Sequence, residues 1–300
     1  MIEVAVVGSL HLDIMVAAPR LPIRDETLIG TAWSTKCGGK GGNQAVAASR
    51  FGARTAFGGQ TGADEFGGRL RANLAAAGID ISCAGTDPSL GSGMSVAISE
   101  DGGEYGAVVV SGANLGIDAG VIAKKWRKLW PCKVLLLQNE IPEAVNIAAA
   151  TEARTAGATI VFNAAPARRT STRFLDLVDV MIVNRVEAAM LAGTDDMDTA
   201  IKALHASSLD VVLTRGADGL TVMTRRGHIA ELPALAVRMI SSHGAGDCFC
   251  GALAARLAAG DPLLEACAYA RTAAGLFVSL AEERQASLAH AMVVRHATHQ

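Results

Sequence analysis

Short apolar runs alternate with amphipathic segments along most of the chain. Val4–Val7 and residues 134–137 are uninterrupted apolar runs, a pattern typical of strands buried on both faces of a sheet. Residues 143–156 have the spacing of a helix, and Gly157 follows as a natural helix end. Strands that alternate with helices form βαβ units. We therefore expect an α/β fold with a mostly parallel sheet flanked by helices.

Some segments before residue 111 do not follow this alternation. Residues 94–99 and 105–110 have mixed polarity and flank a glycine-rich turn, which predicts a hairpin. Half-exposed strands of this kind belong to a sheet with one open face. We expect strands drawn from about 10–37 and 92–111 to form a small separate sheet, such as a lid. We expect residues 1–300 to form a single domain, in which the large sheet lies beneath this small one.

Composition narrows the possible partners. Half of the residues are hydrophobic, which is enough for a sizeable core. The net charge is −2 and only 4% of the residues are aromatic, so neither a basic surface nor a stacking platform for nucleic acid is expected. No apolar run approaches the roughly 18 residues of a membrane span. We expect neither nucleic acid nor a membrane as a partner.

The cysteines and the N-terminal residues suggest a compartment. The six cysteines are scattered and include no CxxC pair, which favours reduced thiols over disulfides or a zinc site. The first residues lack the basic and apolar regions of a signal peptide. A cytoplasmic location is the resulting expectation.

The tetrapeptide Gly244-Ala245-Gly246-Asp247 precedes an alanine-rich helical segment. Small residues allow a tight turn, after which backbone N–H groups and the positive end of the helix dipole point outward. Such a place stabilises a phosphate or a developing oxyanion, and Asp247 beside it is a candidate general base. The alternative is a tight turn with Asp247 as a helix cap.

A second glycine cluster occupies residues 38–43. Its glycines allow close approach of the backbone to a ligand, and Lys40 and Asn43 add hydrogen-bonding groups. The cluster lacks the Gly-Lys-Ser/Thr ending of a Walker A loop. It is either a binding loop or a flexible turn.

Asn184 and Glu187 follow the apolar run at residues 181–183. A helix that begins here would place both side chains on one face. An amide oxygen and a carboxylate suit hydrated Mg²⁺, which takes few protein ligands and keeps several waters. The same pair is also a capping-box pattern, so both interpretations stay open.

Further polar residues follow other predicted strands. His11 and Asp13 come after the first strand, Glu140 follows 134–137, and the glycine-rich loop 214–219 follows the strand at 211–214. Each alone is either a ligand contact or a solvated loop residue. Because the carboxyl ends of parallel strands meet at one edge, we expect them to lie together at a ligand site.

Together these motifs resemble the ribokinase family of sugar and nucleoside kinases, also called the PfkB family. Residues 38–48 are similar to its N-terminal signature, and 244–247 to its Gly-Ala-Gly-Asp signature. Asn184 and Glu187 match its Asn-x-x-Glu motif, and 163–167 resemble its Asn-Pro-Ala-Pro-Ala segment. The run from Gly38 is closest to ribokinases proper. The resemblance covers nearly the whole chain in order.

The resemblance implies a Rossmann-like α/β domain with a small β-sheet lid, the ribokinase-like fold. It also implies phosphoryl transfer from ATP to a sugar hydroxyl, with ribose or a related pentose favoured and Mg²⁺ as cofactor. Asp247 would be the base and the amides of Gly244, Ala245 and Gly246 the anion hole. The implied sugar site consists of His11, Asp13, Gly39, Lys40, Asn43 and Glu140. The implied nucleotide and metal contacts are Asn184 and Glu187 for Mg²⁺, through water, and Asn184, Thr214, Gly216, Gly219 and Arg271 for the nucleotide.

Four positions depart from the family pattern. His11 stands where ribokinases usually carry Asn, which leaves the identity of the sugar open. Ser241 replaces an aspartate of the monovalent-cation site, and Glu283 stands near an expected glycine, so we expect little activation by K⁺. Arg271 replaces the usual Asn or His near the adenine.

Two other functions remain as alternatives. One is a nucleoside kinase of the same family, and the other is a catalytically silent sugar-binding protein on this fold. The presence of Asp247, Asn184 and Glu187 argues against the silent protein. The resemblance also predicts a homodimer formed through the lid.

Overall fold

The structure is a computed structural model that describes residues 1–100, 105–205 and 209–297. Its main element is a nine-stranded sheet in the order β13-β12-β11-β10-β9-β8-β1-β4-β5. Seven strands are parallel, and the hairpin of β12 and β13 adds two antiparallel strands at one edge. The strands are β1 (Val4–Val7), β4 (Thr55–Gly62), β5 (Asp80–Asp87), β8 (Val134–Gln138), β9 (Thr159–Asn163), β10 (Val180–Asn184), β11 (Asp210–Thr214), β12 (Leu220–Met223) and β13 (Ile229–Leu232).

The direction of strand order reverses at β1. This strand pairs with β4 on one side and β8 on the other, and from β8 the sheet continues outward through β9, β10 and β11. In open α/β sheets the loops diverge at such a reversal and leave a crevice at the carboxyl ends of the strands. The sequence predicts the ligand site at these carboxyl ends of the strands.

Helices cover both faces of the large sheet. One face carries α1 (Lys40–Arg50), α2 (Glu65–Ala76), α8 (Ala245–Ala259), α9 (Leu263–Val278) and α11 (His290–Ala297). The other face carries α3 (Ala119–Lys125), α4 (Glu143–Thr155), α5 (Thr172–Leu175), α6 (Arg185–Ala192) and α7 (Met197–His205). A short helix, α10 (Glu282–Gln285), lies between α9 and α11 in the chain. No helix in the described ranges has the length and hydrophobicity needed to span a membrane.

Successive side chains of the central strands enter opposite cores. In β8, Val134 and Leu136 pack with α1 and α8, whereas Leu135 and Leu137 pack with the helices of the other face. All four are buried. A strand that contributes to two cores has no polar face, which explains the uninterrupted apolar runs in the sequence.

A second sheet of four strands lies apart from the first, in the order β3-β2-β6-β7. Its strands are β2 (His11–Ala18), β3 (Ala32–Gly38), β6 (Gly93–Glu100) and β7 (Tyr105–Val110). They come from the two segments expected for the small sheet, and β6 and β7 form the predicted hairpin. The turn predicted between them includes residues 101–104, which lie outside the described residues. We call this four-stranded sheet the lid sheet.

Helices α1 and α8 cross unusually closely, and a glycine makes the crossing possible. A Cβ atom at Gly251 would lie 2.5 Å from Cβ of Ala47 and 2.6 Å from the carbonyl oxygen of Gln44. These distances are shorter than any relaxed packing contact, so a side chain at this position would force the helices apart. The crossing fixes the start of α1 relative to the start of α8.

We expect Gly251→Ala to lower the free energy of unfolding by about 1–3 kcal/mol, because it overpacks this crossing. Gly68 in α2 is the matched control, since it is also helical but a Cβ there meets nothing within 4 Å. Gly68→Ala should leave stability unchanged or raise it by up to about 1 kcal/mol. Urea unfolding of both variants checks this. Equal stability of the two variants would show that the crossing tolerates a methyl group.

Candidate active site

A cavity of about 360 Å³ opens between the lid sheet and the carboxyl edge of the large sheet. Its wall combines residues far apart in the sequence but close at the strand ends. The residues that line it are His11, Asp13, Gly39, Lys40, Asn43, Ser95, Val109, Glu140, Asn163, Ala165, Ile182, Val183, Asn184, Glu187, Thr214, His243, Gly244, Gly246, Asp247, Phe249 and Cys250. Most of the predicted site residues thus share one cavity.

Asp247 is the third residue of α8 and faces this cavity. Its Oδ2 accepts a hydrogen bond from Nδ2 of Asn43 at 3.1 Å, and its Oδ1 accepts one from Nε2 of Gln44 at 2.9 Å. Burial raises the pKa of Asp247, while Lys40 and the two amides oppose this rise. A carboxylate with a raised pKa is a stronger proton acceptor than an exposed aspartate.

The turn before Asp247 presents part of the predicted anion hole. Gly244 adopts a left-handed conformation with φ 79°, which glycine reaches without strain. Gly244 and Gly246 line the cavity. The N–H of Ala245 donates to the carbonyl of Ser242 at 3.2 Å. The structure therefore places two of the three predicted residues in the cavity wall and gives the Ala245 amide another acceptor.

Lys40 and Glu140 meet at the N-terminus of α1. The backbone N–H of Lys40 donates to Oε2 of Glu140 at 2.9 Å, and the hydroxyl of Ser9 donates to the same oxygen. Gly39 has φ 85° and passes so close to His11 that a Cβ there would lie 2.8 Å from its backbone nitrogen. The glycine cluster is therefore a tight crossing of α1 over the loop after β1.

The Lys40 side chain lies among carboxylates. Burial works against its charged form, but Asp247, Glu140 and Glu187 outweigh this effect and raise the pKa of Lys40. Lys40 therefore carries a positive charge at neutral pH. It is a counter-charge for the three acids.

The lid sheet contributes the opposite wall. Asp13 lines the cavity, and its Oδ1 accepts a hydrogen bond from the hydroxyl of Ser95 at 2.5 Å. Nδ1 of His11 lies 3.7 Å from Oε2 of Glu140. The buried amide of Asn114 holds the chain at Leu10, accepting from its N–H at 2.9 Å and donating to its carbonyl at 2.8 Å. These bonds fix the direction of the His11 and Asp13 side chains.

Asn184 and Glu187 form a reciprocal capping box at the start of α6. The Glu187 N–H donates to Oδ1 of Asn184 at 2.9 Å, and the Asn184 N–H donates to Oε2 of Glu187 at 2.8 Å. Both residues also line the cavity. Burial raises the pKa of Glu187, while the hydrogen bond from the Asn184 N–H and the charge of Lys40 oppose this rise. Asn184 and Glu187 thus cap α6 and line the cavity at the same time.

The predicted nucleotide residues divide into two groups. Thr214 lines the cavity, whereas among the described residues Gly216, Gly219 and Arg271 lie outside its wall. A Cβ at Gly219 would lie 2.0 Å from the carbonyl oxygen of Leu232, so this glycine closes the turn before β12. Arg271 on α9 donates from Nη1 to the carbonyl of Pro233 at 3.0 Å.

The positions expected near a monovalent-cation site lie in two separate segments, one at Ser241 and one at Glu283. The backbone N–H of Ser241 donates to the carbonyl of Val278 at 3.2 Å. Glu283 is exposed, and the neighbouring Glu282 forms an ion pair with Lys36 of the lid sheet. Within the described ranges no group of three or more His, Cys, Asp or Glu residues is arranged to hold a metal ion.

Several residues that shape the site are not among the predicted ones. Gln44 and Asn163 are buried polar residues behind Asp247, and Ser9, Ser95 and Asn114 hold the predicted side chains in place. Ser9 and Gln44 lie within motifs that the sequence singles out. Ser95 and Asn114 carry no local signal, because their partners are distant in the sequence.

This arrangement combines an acceptor for a proton, donors and acceptors for hydroxyl groups, and an anion site. Asp247 sits at a helix N-terminus, where the dipole favours negative charge on a reacting group. Transfer of a phosphoryl group needs mainly positioning and charge stabilisation, with one base for the hydroxyl proton. The geometry fits that chemistry.

Comparison with known proteins shows the family to which the chain belongs. The model of the family described as "pfkB family carbohydrate kinase" matches residues 1–287. The ribokinase of Haemophilus influenzae is 32% identical over 280 residues, covering 91% of each chain. The ribokinase of Mus musculus is 34% identical over 263 residues, covering 85% of this chain and 81% of the mouse protein.

A solved structure shows the same fold. Arabidopsis thaliana ribokinase, whose structure is a complex with ribose and ATP, superposes with a TM-score of 0.91 at 24% identity and covers 98% of each chain. The large sheet with its smaller companion sheet is therefore a ribokinase-like fold, as the sequence predicts. The chain belongs to the pfkB family of carbohydrate kinases and is an ATP-dependent sugar kinase.

Proposed function

We propose that the chain transfers the γ-phosphoryl group of ATP to a hydroxyl of a pentose, with ribose favoured. One observation carries the proposal: the carboxylate of Asp247 lies at a helix N-terminus in a cavity that also contains polar groups suited to a sugar. The pentose preference is supported by the names of the relatives, both of which are ribokinases.

The sugar side of the cavity has the groups that hydroxyls need. Asp13 and Glu140 accept hydrogen bonds, whereas Lys40 and Asn43 donate them. The hydroxyls of Ser9 and Ser95 donate to Glu140 and Asp13, so both carboxylates are oriented without a substrate. A site with fixed polar groups discriminates against ligands that leave those groups unpaired. His11 stands at the same wall and is a candidate contact to the sugar.

The phosphate side begins at the turn before α8. Gly244 and Gly246 line the cavity where the γ-phosphate would meet the hydroxyl, and Lys40 adds positive charge. Ala245 joins them only if its N–H leaves the carbonyl of Ser242. Thr214, Gly216, Gly219 and Arg271 would border the rest of the nucleotide.

Mg²⁺ fits the donor set at Asn184 and Glu187. The capping box uses Oδ1 of Asn184 and Oε2 of Glu187, so these residues would hold the ion through its waters. Bound there, the ion would neutralise charge on the phosphates during transfer. The capping box fixes the Glu187 carboxylate at the cavity wall in advance.

A panel of sugars and nucleosides assayed for ADP release tests the proposed substrate. We expect ribose to give the highest kcat/KM, followed by related pentoses. A nucleoside that exceeds every sugar would assign the chain to the nucleoside kinases of the family. Absence of ADP release with all of them would favour the sugar-binding alternative.

We expect Asp247→Asn to lower kcat by about 10²–10⁴-fold, because the general base is lost. Binding of the sugar, measured by calorimetry, should change little. Asp198→Asn is the matched control, since Asp198 also lies in the first turn of a helix but is exposed and outside the cavity. A kcat within threefold of the unmodified enzyme would exclude Asp247 as the base.

Glu187→Gln should raise the Mg²⁺ concentration for half-maximal rate by about tenfold or more, as loss of an outer-shell partner does. Gln retains the capping hydrogen bond, so the helix start is preserved. Glu143→Gln is the control, because Glu143 is also a first-turn glutamate but lies away from the cavity. Identical Mg²⁺ curves for all three proteins would reduce Glu187 to a helix cap.

Activation by K⁺ should be less than about fivefold, which corresponds to roughly 1 kcal/mol in the barrier. The reason is that Ser241 offers no fixed negative charge to compensate for dehydration of the ion. The comparison is the initial rate in K⁺ against a large organic cation at equal ionic strength. Stimulation of tenfold or more would show that a functional cation site survives the substitution.

Association of two chains through the lid sheet stays a prediction. Exposed apolar side chains on this sheet support it, among them Trp33 at 74% exposure and Val108 at 67%. Light scattering of the purified chain measures its mass directly. A monomeric mass at working concentration would contradict the dimer.

A further inference from the structure

A chain of buried amides extends from Asp247 through Gln44 and Gln138, neither of which lines the cavity. Nε2 of Gln138 donates to Oε1 of Gln44 at 2.8 Å, and Nε2 of Gln44 donates to Oδ1 of Asp247 at 2.9 Å. The second hydrogen on Nε2 of Gln44 points to Oδ1 of Asn163 at 3.1 Å. Both glutamines are fully buried.

The donors and acceptors in this series of hydrogen bonds are matched in only one orientation of the Gln44 amide. A reversed Gln44 amide would place its carbonyl oxygen against the Asp247 carboxylate and its nitrogen against the nitrogen of Gln138. Gln138 itself has little freedom, because its Oε1 fills the space where a Cβ of Gly8 would stand, only 1.9 Å from that position. Nε2 of Gln138 and the acceptor oxygens of Asp247 and Asn163 together favour the orientation in which Nε2 of Gln44 faces Asp247.

The two oxygens of Asp247 consequently differ. Oδ1 is bound to the buried Gln44, whereas Oδ2 is bound to Asn43, which lines the cavity and is only half-buried. A hydrogen bond from a buried amide with both hydrogens engaged is not exchanged for one to a substrate. Oδ2 is therefore the oxygen whose partner lines the cavity, whereas the partner of Oδ1 does not.

We propose that Gln44 is a positioning residue that holds Oδ1 of Asp247 so that Oδ2 takes the proton of the sugar hydroxyl. The proposal rests on the proposed function, with Asp247 as base. In the step, the hydroxyl O–H bond breaks as a proton passes to Oδ2, and the hydroxyl oxygen bonds to the γ-phosphorus. The bond from that phosphorus to the bridging oxygen breaks, and ADP leaves with its electron pair.

The same hydrogen bond affects the protonation of Asp247. The charged and titratable groups that face Asp247 are Lys40 from α1, Glu140 after β8, Glu187 at the start of α6, and Cys248 and Cys250 on its own helix. The hydrogen bond from Gln44 favours the ionised carboxylate and lowers its pKa. Loss of that bond would raise the pKa, so the rate would fall at a higher pH on the acidic side.

Gln44→Met tests the proposal, because methionine has nearly the same length but no amide. We expect kcat to fall by about ten- to a hundredfold, the loss typical for a hydrogen bond to a charged group. KM for the sugar and for ATP should stay within about threefold, because Gln44 does not line the cavity. The acidic limb of the kcat profile should move to higher pH.

Gln138→Met provides a second test, because Gln138 contacts Gln44 but not Asp247. It should lower kcat less than Gln44→Met does, because Gln44 keeps its amide and loses only the hydrogen bond that supports its orientation. The double variant should be no slower than Gln44→Met alone, since both act through one hydrogen bond. Asn146→Leu is the control: Asn146 is equally buried and donates to the backbone carbonyl of Gln138 at 2.8 Å, but it lies outside the chain of side chains.

The outcomes distinguish a failure of the positioning role from a failure of Asp247 as the base. Unchanged kcat and pH profile in Gln44→Met, with Asp247→Asn inactive, would overturn the positioning role alone. A fall in kcat that matches the loss of folded protein, with no shift of the acidic limb, would show a merely structural role and overturn it too. If the falls in kcat add up in the double variant, Gln138 and Gln44 act independently, which would contradict the proposed series of hydrogen bonds. Full activity of Asp247→Asn would remove the proposed base itself. Should Gln44→Met not fold, unchanged kcat in Gln138→Met would overturn the proposal.

Discussion

The contact between the first turns of α1 and α8 is the constraint on which the site depends. Asn43 and Gln44 of α1 hold the carboxylate of Asp247 on α8, and the close crossing at Gly251 keeps the two helix starts in register. Each helix begins at a glycine in a conformation that other residues adopt only with strain, so both N-termini point into one cavity. The same packing that stabilises the core therefore places the proposed base beside the proposed anion site.

Charge balance then explains how three acids share a small cavity. Asp247, Glu140 and Glu187 all act on Lys40, and each of them would repel the phosphates of ATP if it stood alone. Lys40, the N-terminus of α8 and the proposed Mg²⁺ supply the compensating charge. Lid residues such as Asp13 complete the wall opposite Asp247. Closing a sugar between these walls would exclude water, which strengthens every electrostatic contact inside.

Much of the fold could be predicted because its central strands are apolar on both faces. The polar residues at the ends of these strands predicted most of the candidate site. The edge strand β5 could not be predicted, because it mixes polar and apolar residues and only Cys83 and Ala84 in it are buried. Helix α9 is also absent from the predicted elements, because its small residues blur the contrast between faces. Gln44, Asn114 and Ser95 act through partners 82 to 203 positions away in the sequence. No local pattern reports such pairs. The Asn184 and Glu187 motif allowed a cap or a ligand site, and the structure shows the cap at the cavity wall.

The central claim is that the sugar hydroxyl and the phosphoryl group meet at Asp247. The most direct measurement is the distance from Oδ2 of Asp247 to the nearest sugar hydroxyl in a crystal structure with ribose and a non-hydrolysable ATP analogue. The account predicts a hydrogen-bond distance of about 2.6–3.2 Å, with the γ-phosphate on the far side of that hydroxyl near Gly246. A ribose whose hydroxyls all lie beyond reach of Oδ2, with another acceptor beside the one that faces the γ-phosphate, would contradict it.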